Sequence, residues 1–115
     1  MTLNEIQVSL FTLIPEAYDQ ITSDFDFVKN SYAIEMKIGD SVQDNIINDE
    51  ITLQIRITGI KENKMLIQNK AFELDKKIND IDFKDCWIVR DNAYYTSYYD
   101  TDKFNSVLQY TIKNY

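Results

Sequence analysis

Residues 50–58 read Glu-Ile-Thr-Leu-Gln-Ile-Arg-Ile-Thr, so that Ile51, Leu53, Ile55 and Ile57 alternate without a fault against Thr52, Gln54, Arg56 and Thr58. Side chains on a strand repeat every two residues, and this run therefore predicts a strand with one aliphatic face to bury and one polar face. Its β-branched content agrees with the period. After Gly59 the period changes, with Ile67, Ala71, Leu74, Ile78 and Ile81 recurring at spacings of four, three, four and three. That is the single apolar stripe of a helix, predicted over about residues 64–80. A strand face and a helix stripe so close in sequence can bury each other, and the rest of the chain supplies neighbours for the pair. This is a fold signal, and nothing inside it performs chemistry.

The flanks extend the pattern. Thr2 and Glu5 have the spacing of a capping box, and Leu3, Ile6, Leu10, Leu13 and Ile14 make one stripe of a first helix. Pro15, the only proline, ends that helix near Ile14, because the residue before proline avoids the helical region. Residues 16–30 are compatible with either a short helical turn through Tyr18 and Ile21 or an edge strand in which Phe25 and Phe27 alternate with acids. From Tyr32 to Ile38 the alternation is again clean, with Tyr32, Ile34, Met36 and Ile38 on one side and Glu35 and Lys37 on the other; this is the expected partner of the 50–58 strand. Between the two, residues 39–49 are polar and too long for a tight hairpin, and they are read as a protruding arm whose Val42, Ile46 and Ile47 reach for a partner or fold back on the sheet.

Asn63 is placed as the N-cap of the second helix. Cys86-Trp87-Ile88-Val89 is a short apolar run that predicts a buried strand, with Cys86 a small core residue and Trp87 also core. Tyr94, Tyr95, Tyr98 and Tyr99 are half of all eight tyrosines and fall within a few residues of one another. Tyrosine supplies rigid, amphipathic contact area, so the cluster reads as an interface or as sheet packing. Base stacking is disfavoured by the neighbouring Asp91, Asp100 and Asp102. Asp100-Thr101-Asp102 lacks the glycine and distal glutamate of a calcium loop and is expected to be a turn into a last strand from Phe104 to Ile112.

Composition narrows the chemistry. At 115 residues the chain is long enough for one modest core, a single domain. Cys86 is the only cysteine and there is no histidine, so a transition-metal centre or a His-based nucleophile system has little to be built from. Glu35 and Asp85 are no better placed as an acid/base pair than other carboxylates. No enzyme, cofactor or metal site is therefore expected, and no membrane span. The net charge is −7, from 19 acidic and 12 basic residues, with acids scattered through turns rather than gathered in a tail. Ordinary binding to a phosphate backbone needs clustered Lys and Arg and is not expected. The whole is expected to form a two-layer α+β domain, a mostly antiparallel sheet of about four strands packed against two amphipathic helices.

In the run Tyr32-Ala33-Ile34-Glu35-Met36-Lys37-Ile38-Gly39-Asp40, the polar arm, the 50–58 strand, the Ala71, Leu74, Ile78 stripe and the late Asp100-Thr101-Asp102 turn into Tyr110-Thr111-Ile112, the chain resembles the small tail terminator, tail completion and head-tail joining proteins of tailed bacteriophages. The resemblance implies a structural virion protein at the head-tail junction, assembled in the host bacterial cytoplasm. It implies a ring of identical subunits, commonly a hexamer, that caps the tail tube and meets neck or connector proteins, with genome DNA only passing through the lumen. Under that reading Val42, Ile46, Ile47, Tyr94, Tyr95, Tyr98 and Tyr99 are the candidate subunit or partner contacts, and acidic walls keep passing DNA from adhering. The alternative is a small acidic binding protein that imitates a phosphate track and occupies a nucleic-acid-binding enzyme.

Overall fold

The structure, a computed structural model, describes residues 3–44, 48–83, 86–91 and 96–114. Helix α1 spans Leu3–Leu13 and is followed by the two-residue strand β1, Ala17–Tyr18. Strands β2, Ala33–Asp44, and β3, Asn48–Ile60, form a long hairpin. A 3-10 turn at Lys61–Asn63 leads into α2, Lys64–Asn79, and the chain finishes with β4, Cys86–Arg90, β5, Thr96–Asp100, and β6, Lys103–Asn114. The sheet order is β1-β2-β3-β6-β4, with β5 also on β6. The architecture is α+β as expected, but the sheet has six strands rather than about four. It is mixed, because β1 runs parallel to β2 while the other pairings are antiparallel.

The 50–58 alternation builds the core directly: Ile51, Leu53, Ile55 and Ile57 are all buried on the face that the two helices cover. Ile34 and Met36 from β2, and Leu108, Tyr110 and Ile112 from β6, join them on that face. Ile67, Ala71, Leu74 and Ile78 of α2 and Ile6, Leu10 and Ile14 from the first helical segment close over it. Each fully buried aliphatic side chain contributes about 1.5–3 kcal/mol relative to exposure. Helix α1 stops before Pro15, with the Ile14 amide bonded to the Leu10 carbonyl at 2.9 Å. Lys70 of α2 reaches Glu16, just past that helix end, at 2.5 Å.

Three expectations are corrected and one open question is resolved. Residues 39–44 and 48–49 are not a loop: they continue β2 and β3, with Val42 opposite Glu50 and Asp44 opposite Asn48, and the register shifts between Gly39 and Ser41. Ladder hydrogen bonds come from the backbone, so polar side chains do not prevent pairing, and the bulge absorbs the extra residue. Asn63 stands at the N-cap position but its side chain makes no cap; Nδ2 donates instead to the Ser31 carbonyl at 3.0 Å. Trp87 is exposed, because β4 is an edge strand packed on one face only, with Cys86 turned in and Trp87 turned out. The open question over residues 16–30 resolves as β1 followed by turns, including an Asx turn in which Asp26 Oδ1 accepts from the amides of Val28 and Lys29. Thr2, Ile46, Ile47, Asp85, Tyr94 and Tyr95 lie outside the described residues.

Residues 19–32 lie over one end of the second face of the sheet. Glu35, buried there, accepts from the Ile21 amide at 3.1 Å and pairs with Arg56 at 3.5 Å. Tyr18, Phe25 and Phe27 form a chain of rings, with centroids 5.8 and 4.7 Å apart. The close approach of this segment explains Gly59. A Cβ at that position would meet the Ser31 carbonyl oxygen at 2.7 Å and the Ile67 Cδ1 at 3.0 Å. Gly59→Ala is therefore expected to destabilise the protein by about 1–3 kcal/mol, read as a lower urea midpoint at unchanged slope.

Candidate interaction surface

Strands β4 and β5 lie on the same side of β6, β4 pairing with residues 110–114 and β5 with 103–107. They form one interrupted edge line of the sheet, in which five residues connect the two strands where β6 spends two. Ten large hydrophobic side chains are exposed among the described residues, and four of them sit on this line: Trp87 at 68%, Val89 at 47%, Tyr98 at 42% and Tyr99 at 58%. Scattered apolar side chains are ordinary on a surface; a run of them along an unpaired edge, with no proline, is not.

Register sorts the four. Residues directly opposite in an antiparallel ladder point to the same face. Trp87 faces Lys113, Val89 faces Thr111 and Tyr98 faces Asn105, which places all three on the face away from the helices. Tyr99 faces Phe104 on the helix side, packs on it edge-to-face at 5.2 Å and carries the Lys64 ammonium 5.6 Å from its ring centroid. Of the expected contact residues, Tyr98 and Tyr99 are both exposed and lie on opposite faces. Val42 is placed by its backbone, on β2, at the far edge of the sheet. Trp87 and Val89 went unrecognised in the sequence because four consecutive apolar residues look like a strand buried on both faces; the signal that separates the cases is the edge position, which is tertiary.

The β5–β6 turn that anchors this edge is made by Thr101 and Asp102, with Thr101 at a φ of 55°. The Asp102 carbonyl accepts from the Lys61 amide at 3.2 Å, fixing the turn to the start of the helical segment. The Asp102 carboxylate bonds to Lys103 at 3.0 Å, and that ammonium holds its carboxyl below the usual carboxylate range.

Beyond the end covered by residues 19–32, the second face is open and forms a groove of about 640 Å³. Lys37, Gln54 and Gln109 make one row across its floor, each opposite the next, and Gly39 and Thr52 begin the following row. Asp19 and Gln20 form one wall, and Asp91, which accepts from Thr111 Oγ1 at 2.6 Å, stands at the other end. The floor of the groove is thus polar, a row of two amides and a lysine between acidic ends. Glu35 is occupied in holding residues 19–32. The buried Asp75 is occupied by Arg90 Nη1 at 2.7 Å and by the Tyr110 hydroxyl, a network that ties α2 to β4 and β6. Among the described residues no group of three or more His, Cys, Asp or Glu could hold a metal ion. No helix among them is long and apolar enough to cross a membrane. No family model matches the chain, and no curated protein matches it.

Proposed function

We propose that this chain is a structural ring subunit at the head-tail junction of a tailed bacteriophage, of the tail terminator, tail completion or head-tail joining kind. The observation that carries the reading is the line of exposed Trp87, Val89, Tyr98 and Tyr99 along an unpaired sheet edge, a surface suited to permanent coverage by protein. Closed rings multiply such contacts, so each needs to be only moderately apolar. The charge of −7 suits a lumen through which DNA slides, because such a wall offers few cations to replace the counterions of the duplex.

The test is the mass of the purified protein by light scattering, alone and with isolated tail tubes, followed by electron microscopy of the tubes. A closed oligomer that caps tube ends is expected, and Tyr98→Ala with Tyr99→Ala is expected to weaken it at least tenfold. A protein that stays monomeric and ignores both tail tubes and neck proteins would sink the junction reading. Binding instead to a nucleic-acid-processing enzyme would put the acidic inhibitor in its place.

A further inference from the structure

The two edges of the sheet carry complementary features. On the outer edge of β2, β1 pairs only with Ile34 and Glu35, and the bulge interrupts the strand after Gly39. Between these limits residues 36–39 present four backbone positions with no strand beside them among the described residues. Gly39, which borders the bulge, has no positive φ, and a Cβ added there meets no described residue within 4 Å. A strand glycine with open space above it is a seat for an aromatic ring from a neighbouring strand. The groove on the open face begins at this glycine. At the opposite edge of the sheet, β4 carries Trp87, 68% exposed, on that same open face.

We infer that β4 of one copy adds antiparallel to residues 36–39 of the next copy's β2, seating Trp87 on Gly39 in the open-face groove. This rests on the reading of the chain as a ring subunit and names its contact. Direction supports it. Consecutive sheet neighbours from β2 through β3 and β6 to β4 alternate in direction, so a β2 placed beyond β4 continues the antiparallel order with the open faces on one side. Length supports it as well, since the notch of four residues accepts Trp87 to Arg90 and the added strand stops at Met36, next to Glu35, where Tyr18 ends β1.

The register set by Trp87 opposite Gly39 then places Ile88 opposite Ile38, Val89 opposite Lys37 and Arg90 opposite Met36. Ile38 and Ile88 are both half-buried at the rims of the hydrophobic core, so their contact joins the cores of adjacent subunits on the helix side. Val89 lies along the aliphatic stem of Lys37, a lysine with no ion pair among the described residues. The contact is heterologous, one edge on a different edge, and such contacts close into rings when the rotation per subunit permits.

Gly39→Val tests the seat with little threat to the fold, because no described residue lies within 4 Å of the added Cβ. It is expected to leave the thermal midpoint unchanged and to raise the dissociation constant of self-association about thirtyfold, with Trp87→Ala giving a similar loss. Cross-linking reads the geometry directly. In a Cys86→Ser background, chains carrying both Gly39→Cys and Trp87→Cys are expected to oxidise into a ladder of oligomers ending at the ring size, whereas either substitution alone gives no ladder.

Rings that form normally with Gly39→Val and give no Gly39–Trp87 cross-link would overturn the inference while leaving the ring reading intact. A ladder in a protein that ignores tail tubes would support the inference and remove the junction role. Cross-links confined to pairs of chains that carry Trp87→Cys alone would overturn it in favour of a two-fold dimer about β4. Failure of the wild-type chain to associate, alone or on tubes, would overturn both.

Discussion

Asp75→Ala is expected to remove about 3 kcal/mol of stability, lowering the thermal midpoint by more than about 10 °C. Asp75 is buried on α2, where one carboxylate oxygen accepts from Arg90 and the other from the Tyr110 hydroxyl. Alanine removes the acceptor of the buried Tyr110 hydroxyl and the counter-charge of Arg90. The partial exposure of the Arg90 side chain, 35%, lets water recover some of that loss and keeps the expected cost below the upper range for buried pairs. Replacing the three together, Asp75→Leu with Arg90→Leu and Tyr110→Phe, is expected to cost less than Asp75→Ala alone, because the guanidinium and the hydroxyl that the carboxylate served are removed with it. Urea unfolding of the two variants decides the matter. Equal losses would mean that packing around Asp75, and not the stranded partners, sets the cost.

Ile55→Ala is expected to cost about 3–5 kcal/mol, a large part of the total stability of a domain this size. Ile55 is fully buried on the central strand of the sheet, with Met36 opposite on one side and Leu108 on the other. Regular strands flank it on both sides and two helices lie above, so the surroundings have little freedom to collapse into the space left by the removed carbons. Val8→Ala, on the exposed face of α1, is expected to change stability by less than about 0.5 kcal/mol. A small loss at Ile55, comparable with that at Val8, would contradict the placement of β3 at the centre of the core.

Gly39→Val and Trp87→Ala are expected to change self-association and to leave the free chain's stability nearly unchanged. Trp87 on β4 is mostly exposed, so truncating it removes little area that the isolated chain buries, whereas Tyr99 also packs on Phe104 and its truncation costs the free chain part of that contact. Gly59 and Gly39 form the matching contrast. At one glycine an added Cβ would press on the carbonyl of Ser31, and at the other it would meet no described residue within 4 Å.

The period of two in residues 50–58 and the period near 3.6 in residues 64–80 determined, without any structure, that β3 and α2 exist and which side chains they bury. Both periods are properties of local backbone geometry, so they can be read from consecutive residues. Pro15 likewise set the end of α1, since its restriction acts on the adjacent residue. Sequence also brought Tyr98 and Tyr99 forward as contact residues, because tyrosines gathered between acids are unusual in any fold. Tertiary structure alone decided that residues 39–44 extend β2, that Trp87 points to solvent, and that residues 19–32 bury Glu35 and demand a glycine at position 59. Each of these depends on which element lies beside which: a strand opposite supplies ladder partners to polar residues, and an edge position leaves one face of an apolar strand bare. Sheet neighbours are set by pairings across tens of residues, such as Trp87 with Lys113, and no local period records them.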